Sequence, residues 1–225
     1  MYGTLWVSIG WIIAACTLGF AISAIFAGKL KFPRHRFLIP YVCLASVFLF
    51  SFVLLHPIDM HEVLVKNWIW GLLAGVLASI FLVKTVRDQP FTRRSSGREF
   101  VFEMTWAGLI YGVMDALFLN VMPVITVWIG VSQFAWTTSI PGKIIVGTLG
   151  LFASLLVTLA YHLGYPEFRN RKVILVLVGN LIITLAFLLS GNPLGSILSH
   201  AVMHIAAILQ GSETTIQLPP HHQTV

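Results

Sequence analysis

Long apolar runs separated by short polar stretches make up most of this chain. Seven apolar segments can be drawn, at residues 4–28, 37–55, 63–83, 100–128, 143–163, 173–190 and 194–210. Most have the roughly 20 residues that a helix needs to cross about 30 Å of hydrocarbon. The last two are at the short end, and the final one is short enough to be tilted, buried by its neighbours or broken. The pattern predicts an all-α, polytopic membrane protein with about seven transmembrane helices.

The basic residues assign a side of the membrane to each loop. Twelve of the fourteen Lys and Arg residues follow segments one, three and five, and only Lys66 and Lys143 lie in the alternate loops. Because cytoplasmic loops collect basic residues, we expect the N-terminus outside and the C-terminus in the cytoplasm. Residues 1–210 are then one transmembrane domain and residues 211–225 a polar cytoplasmic tail. We expect the plasma (inner) membrane of a prokaryote as the location.

Composition supports the membrane class and narrows the partners. Apolar residues make up 57% of the chain, charged residues 10%, and the mean hydropathy is +0.89, which lies outside the range of soluble domains. The net charge of +6 therefore indicates topology and lipid contact, not nucleic-acid binding. Cys16 and Cys43 lie in apolar segments without CxxC spacing, as small packing residues do.

A few ionisable residues interrupt the apolar segments. They are Glu99, Glu103, Asp115, His162, His200 and His204. A charged group inside a bilayer is expensive, so each is a candidate functional residue. Asp115 lies about 18 Å beyond Glu103 at the rise of an α-helix, which places it near the middle of the membrane. A buried hydrogen bond between helices is the alternative explanation for Asp115.

His200 and His204 are four residues apart, so a helix would point both imidazoles from one face. They can bond neighbouring helices, bind a metal or position a reacting group. Ala201 stands where an HExxH metalloprotease motif needs glutamate, which excludes that class. In a second interpretation Asp115, His200 and His204 form a metal or hydrogen-bond cluster. Two nitrogen ligands suit a divalent zinc, copper or iron ion.

Three short stretches carry a family pattern: VFEMTWAGLIYG, TLAYHLG and LGSILSHAVMHIAAIL. Together they resemble the CPBP family, the type II CAAX prenyl endopeptidases and bacteriocin-processing membrane proteins. The resemblance covers about residues 99–208. Its first motif is Glu-Glu-x-x-x-Arg, in which Glu103 takes the place of the second glutamate, with Phe102 for the first and Ala107 for the arginine.

The two later motifs of that family contain histidines. In the Phe-x-x-x-His motif Thr158 stands for the phenylalanine and His162 is retained. In the His-x-x-x-Asn/Asp motif His200 is retained and His204 replaces the amide or carboxylate.

The resemblance implies an intramembrane endopeptidase whose substrate is a membrane-embedded or lipidated peptide. Glu103 would act as the general base on a water molecule, and His162 would help to hold that water. His200 and His204 would polarise the scissile carbonyl. The site would then bring Glu103, His162 and His200 together around a cavity open to the cytosol.

Two other functions remain compatible with the sequence. A non-catalytic subunit of a larger membrane complex, or a metal- or pigment-binding protein derived from the same fold, would explain the missing family residues. A small transporter with Asp115 and the histidines as a proton relay is a further possibility.

Overall fold

The structure of the protein is a computed structural model that describes residues 2–56 and 58–211. Within these ranges it is helical and contains no strand. The helices are α1 (Tyr2–Ile22, continued by a π-helical Ser23–Lys29), α2 (Arg34–Leu55), α3 (Met60–Val65), α4 (Trp68–Arg87), α5 (Gly97–Val131), α6 (Ile140–Leu163), α7 (Lys172–Ser190) and α8 (Leu194–Gln210). Short 3₁₀ turns, Ala135–Thr138 and Pro166–Phe168, lie before and after α6. Beyond Gly211, the predicted tail lies outside the described residues.

Among the described residues, six helices are long and apolar enough to span a membrane: α1, α2, α4, α5, α6 and α7. They confirm the all-α, multi-pass class predicted from the pattern. The seventh predicted segment is the shorter helix α8, whose 17 residues extend over about 25 Å. It is unbroken, and it packs against α4, α5 and α7.

Helix α5 is irregular where it carries its polar residues. Two π-helical segments, Met104–Ile110 and Ala116–Val121, flank the short α-helical piece Tyr111–Asp115. Pro123 follows the second segment and has no N–H to give to the carbonyl of Leu119. That carbonyl instead accepts the hydroxyl hydrogen of Ser154 on α6, at 2.7 Å. Wide turns and a proline thus expose backbone groups to partners on other helices.

The turn between α7 and α8 fixes where α8 begins. Gly191 adopts the left-handed conformation (φ +67°) that ends α7. The buried Asn192 donates from Nδ2 to the carbonyls of Val63, Leu64 and Lys66, and its Oδ1 accepts from the Leu194 N–H. The start of α8 is therefore held against the end of α3 and its connection to α4.

Helices α5 and α8 approach each other closely at Gly112. A Cβ atom there would lie 2.6 Å from Cα of Ala201 and 3.1 Å from the carbonyl oxygen of His200. These neighbours are backbone atoms, so a methyl group would force the two helices apart. The absence of a side chain at Gly112 is what lets α5 present Asp115 to the histidines of α8.

We expect Gly112→Ala to lower the free energy of unfolding by about 1–3 kcal/mol, the usual cost of overpacking. The measurement is reversible unfolding in mixed detergent micelles. Gly179→Ala is the matched control, since a Cβ atom at Gly179 meets nothing within 4 Å. Equal stability of the two variants would show that the contact between α5 and α8 tolerates a methyl group.

Candidate intramembrane Asp-His-His site

The carboxylate of Asp115 lies against both histidines of α8. Its Oδ2 atom is 3.7 Å from Nε2 of His200 and 3.4 Å from Nε2 of His204. The three residues are 3–5% exposed, and one potential ligand atom from each lies within 4.8 Å of the others. The two imidazole rings stack, with centroids 5.1 Å apart and planes 10° from parallel. The structure therefore brings together the three residues of the second sequence interpretation.

Helix α2 adds two residues to this group. The hydroxyl of Tyr41 donates to Oδ1 of Asp115 at 2.5 Å. Nη2 of Arg34 lies 3.5 Å from Nδ1 of His204, and its guanidinium lies over the ring of Tyr111, 5.2 Å from the centroid. Arg34 and Asp115 carry opposite charges on either side of His204. The cluster therefore balances its own charge in a region where an unbalanced charge is costly.

The predicted site residue His162 lies beside a row of tyrosines. Tyr161 bonds through its hydroxyl to those of Tyr111 at 3.0 Å and Tyr165 at 2.8 Å. The His162 ring makes an edge contact with Tyr161, and its Nδ1 donates to the carbonyl of Thr158 at 2.8 Å. These hydroxyls connect the surroundings of His162 to Tyr111, whose ring lies 4.6 Å from that of His204.

Glu103 occupies a different part of the molecule. Its Oε2 accepts the hydroxyl hydrogen of Ser95 at 2.5 Å, near the start of α5. Twelve residues, about three helical turns, separate it from Asp115 on one continuous helix. The structure therefore does not bring Glu103 together with His200 and His204.

Sequence reasoning missed Arg34, Tyr41 and Tyr111 as parts of the site. Arg34 follows the first apolar segment among basic residues that predict a loop, Tyr41 lies in an apolar segment without a motif, and Tyr111 is not one of the defining positions of the family motif that surrounds it. The sequence signal for Arg34 is its place three residues before the apolar segment 37–55, since a long side chain at the end of a membrane helix can reach inward.

The arrangement supports two kinds of chemistry. A carboxylate beside two imidazoles can accept and return a proton, as hydrolytic sites require. One oxygen and two nitrogen ligands can also hold a divalent cation. Comparison with protein-family models, with curated proteins and with solved structures finds no match to this chain. What the site can do must therefore be inferred from its own residues.

Proposed function

We propose that this protein is an intramembrane hydrolase, a peptidase that acts on a membrane-embedded or lipidated peptide. The observation that carries the proposal is the position of Asp115 Oδ2, within 3.7 Å of Nε2 of both His200 and His204. In the CPBP pattern a carboxylate works with histidines from two later motifs. Here Asp115, in place of Glu103, is the carboxylate that lies beside the histidines.

In the proposed reaction, water gives a proton to a ring nitrogen of the imidazole beside Asp115, whose carboxylate stabilises the resulting cation, while the water oxygen bonds to the scissile carbonyl carbon. The carbonyl electron pair moves onto its oxygen, which an imidazole N–H stabilises. The electron pair on that oxygen then re-forms the carbonyl while the carbon–nitrogen bond breaks, and the leaving amine takes the proton back. Arg34 and Tyr41 hold the carboxylate and its neighbours in place through these steps.

The proposed function also depends on how the helices cross the membrane. With α8 as a seventh crossing, the basic loops lie on the cytoplasmic side of a prokaryotic inner membrane. Arg34, at the first position of α2, then reaches the cluster from the cytoplasmic end. His204 is six residues from the end of α8, about 9 Å of helix rise. A peptide would approach the site from that face.

The test of this function is cleavage of a farnesylated, internally quenched peptide by the purified protein in lipid nanodiscs. We expect fluorescence to increase with time and to depend on His200, with His200→Ala inactive. His61→Ala, at an exposed position, is the matched control and should retain the wild-type rate. A wild-type protein that cleaves neither this peptide nor an unlipidated transmembrane peptide would favour a non-catalytic subunit of a larger complex.

A divalent-metal site is the second candidate function, because one oxygen and two nitrogen ligands lie within 4.8 Å. This candidate predicts about one zinc, copper or iron ion per chain in the purified protein. The ion should be lost in His204→Ala and kept in His61→Ala. Elemental analysis by mass spectrometry measures this, and a wild-type protein free of all three metals would eliminate the candidate.

A further inference from the structure

The amide of Asn120 joins His200 to polar side chains on two other helices. Its Nδ2 atom lies 2.7 Å from Oδ1 of Asn180 and 2.8 Å from Oγ1 of Thr184, while Nδ2 of Asn180 lies 3.0 Å from Oγ of Ser154. Both hydroxyls give their hydrogens to backbone carbonyls: Ser154 to Leu119 at 2.7 Å, and Thr184 to Asn180 at 2.8 Å. The hydroxyl oxygens therefore act as acceptors for the two amides.

This network fixes which way the amide of Asn120 faces. Its NH₂ group must point to the oxygen acceptors, so its Oδ1 atom points to Nδ1 of His200, at 3.1 Å. An amide oxygen only accepts, so Nδ1 of His200 carries the hydrogen. The lone pair of the neutral ring is then on Nε2, which lies 3.7 Å from Oδ2 of Asp115 and can take up a proton.

Arg34 imposes the opposite arrangement on His204. A guanidinium has only donors, and Nη2 of Arg34 lies 3.5 Å from Nδ1 of His204. Nδ1 therefore accepts, and the hydrogen of the neutral ring resides on Nε2. That atom is 3.4 Å from Oδ2 of Asp115.

We propose that the two stacked histidines are held in opposite tautomers, His200 by Asn120 and His204 by Arg34, so that they have different roles. His200 presents the nitrogen that takes a proton, and His204 presents an N–H donor. Asn120 is then a positioning residue, which acts on the site through His200. The tautomers follow from the hydrogen bonds alone, whereas their use in catalysis rests on the proposed function.

The arrangement explains why a polar network occurs at this depth. Asn120, Ser154 and Thr184 are fully buried, and Asn180 is 4% exposed. Buried amides in lipid are retained only when their groups are paired. Here the chain of bonds ends on a ring nitrogen of His200. The side chains from α5, α6 and α7 thus determine the protonation of a residue on α8.

The experiment is nitrogen NMR of the protein with ¹⁵N-labelled histidine in lipid nanodiscs, without substrate. Long-range correlations distinguish a protonated from an unprotonated ring nitrogen, and spectra of His200→Gln and His204→Gln assign the signals. We expect the Nδ1–H tautomer for His200 and the Nε2–H tautomer for His204. The same tautomer in both residues, or metal-shifted Nε2 signals in both, would overturn the inference.

Asn120→Leu tests the positioning role directly. Removing the acceptor should abolish the Nδ1–H signature of His200 and leave His204 unchanged. Thr126→Val is the matched control, because it removes a buried hydroxyl group from the same helix. That hydroxyl donates to the Met122 carbonyl and does not contact His200 or His204. An unchanged His200 signature in folded Asn120→Leu would overturn the role of Asn120. Opposite tautomers in a protein that cleaves no peptide would support this inference and defeat the proposed hydrolase.

Discussion

Asp115→Asn is expected to reduce the rate of peptide hydrolysis by about 10²- to 10⁴-fold, the range that a positioned acid or base contributes. Asparagine has nearly the same shape and can still accept the hydroxyl hydrogen of Tyr41. It has no charge and takes up no proton near neutral pH. The loss should therefore appear in turnover while the helices remain assembled.

The measurement is the initial rate on the farnesylated quenched peptide in nanodiscs, with folding checked by circular dichroism and gel filtration. Asp88→Asn is the control, since Asp88 is exposed at the end of α4. It should cleave at the wild-type rate. Wild-type turnover by Asp115→Asn would show that the carboxylate is structural.

Arg34→Met is expected to destabilise the protein by about 3 kcal/mol or more at neutral pH, because it leaves Asp115 as an uncompensated buried charge. Asp115→Leu should lower the free energy of unfolding by less, because Arg34 can move its charge out of the cluster. The half-buried Arg34 stands at the first position of α2, from which its long side chain can turn towards the headgroups. The Arg34→Met/Asp115→Leu double variant should lose less stability than the two single variants lose together, since neither charge then remains without its partner.

The free energies of unfolding of the two single variants and the double variant, in mixed detergent micelles, measure these losses. The control is the exposed ion pair in which Nζ of Lys66 lies 2.6 Å from Oε1 of Glu62. Replacing these two side chains should change the free energy of unfolding little. Strictly additive losses for Arg34→Met and Asp115→Leu would contradict a charge interaction through His204.

The helical class and six of the spans were predictable because apolar length is a local property of the sequence. The same is true of His200 and His204, whose spacing of four residues places them on one helix face. Their closeness to Asp115 was predictable only as an alternative, by counting helix rise from both ends of the membrane. That count placed His200 closer to Asp115 than to Glu103, which agrees with the geometry of the cluster.

The rest of the site depends on how helices pack, which no local spacing encodes. Tyr41 and Arg34 reach the cluster because α2 lies against α5, and the sequence around them shows only an apolar run and a basic loop. The π-helical turns on both sides of Asp115 have no sequence signal of their own. Gly112 also has no signal in the sequence. That only glycine fits there becomes evident when the backbone of Ala201 is seen next to it.

The most direct measurement compares Asp115→Asn with Glu103→Gln on the same farnesylated peptide. It tests the claim that Asp115, with His200 and His204, forms the functional site. We expect Asp115→Asn to lose two to four orders of magnitude in rate and Glu103→Gln to stay within a few-fold of wild type. A reversed result, with Glu103→Gln inactive and Asp115→Asn active, would contradict the claim and favour the role that the family resemblance gives to Glu103.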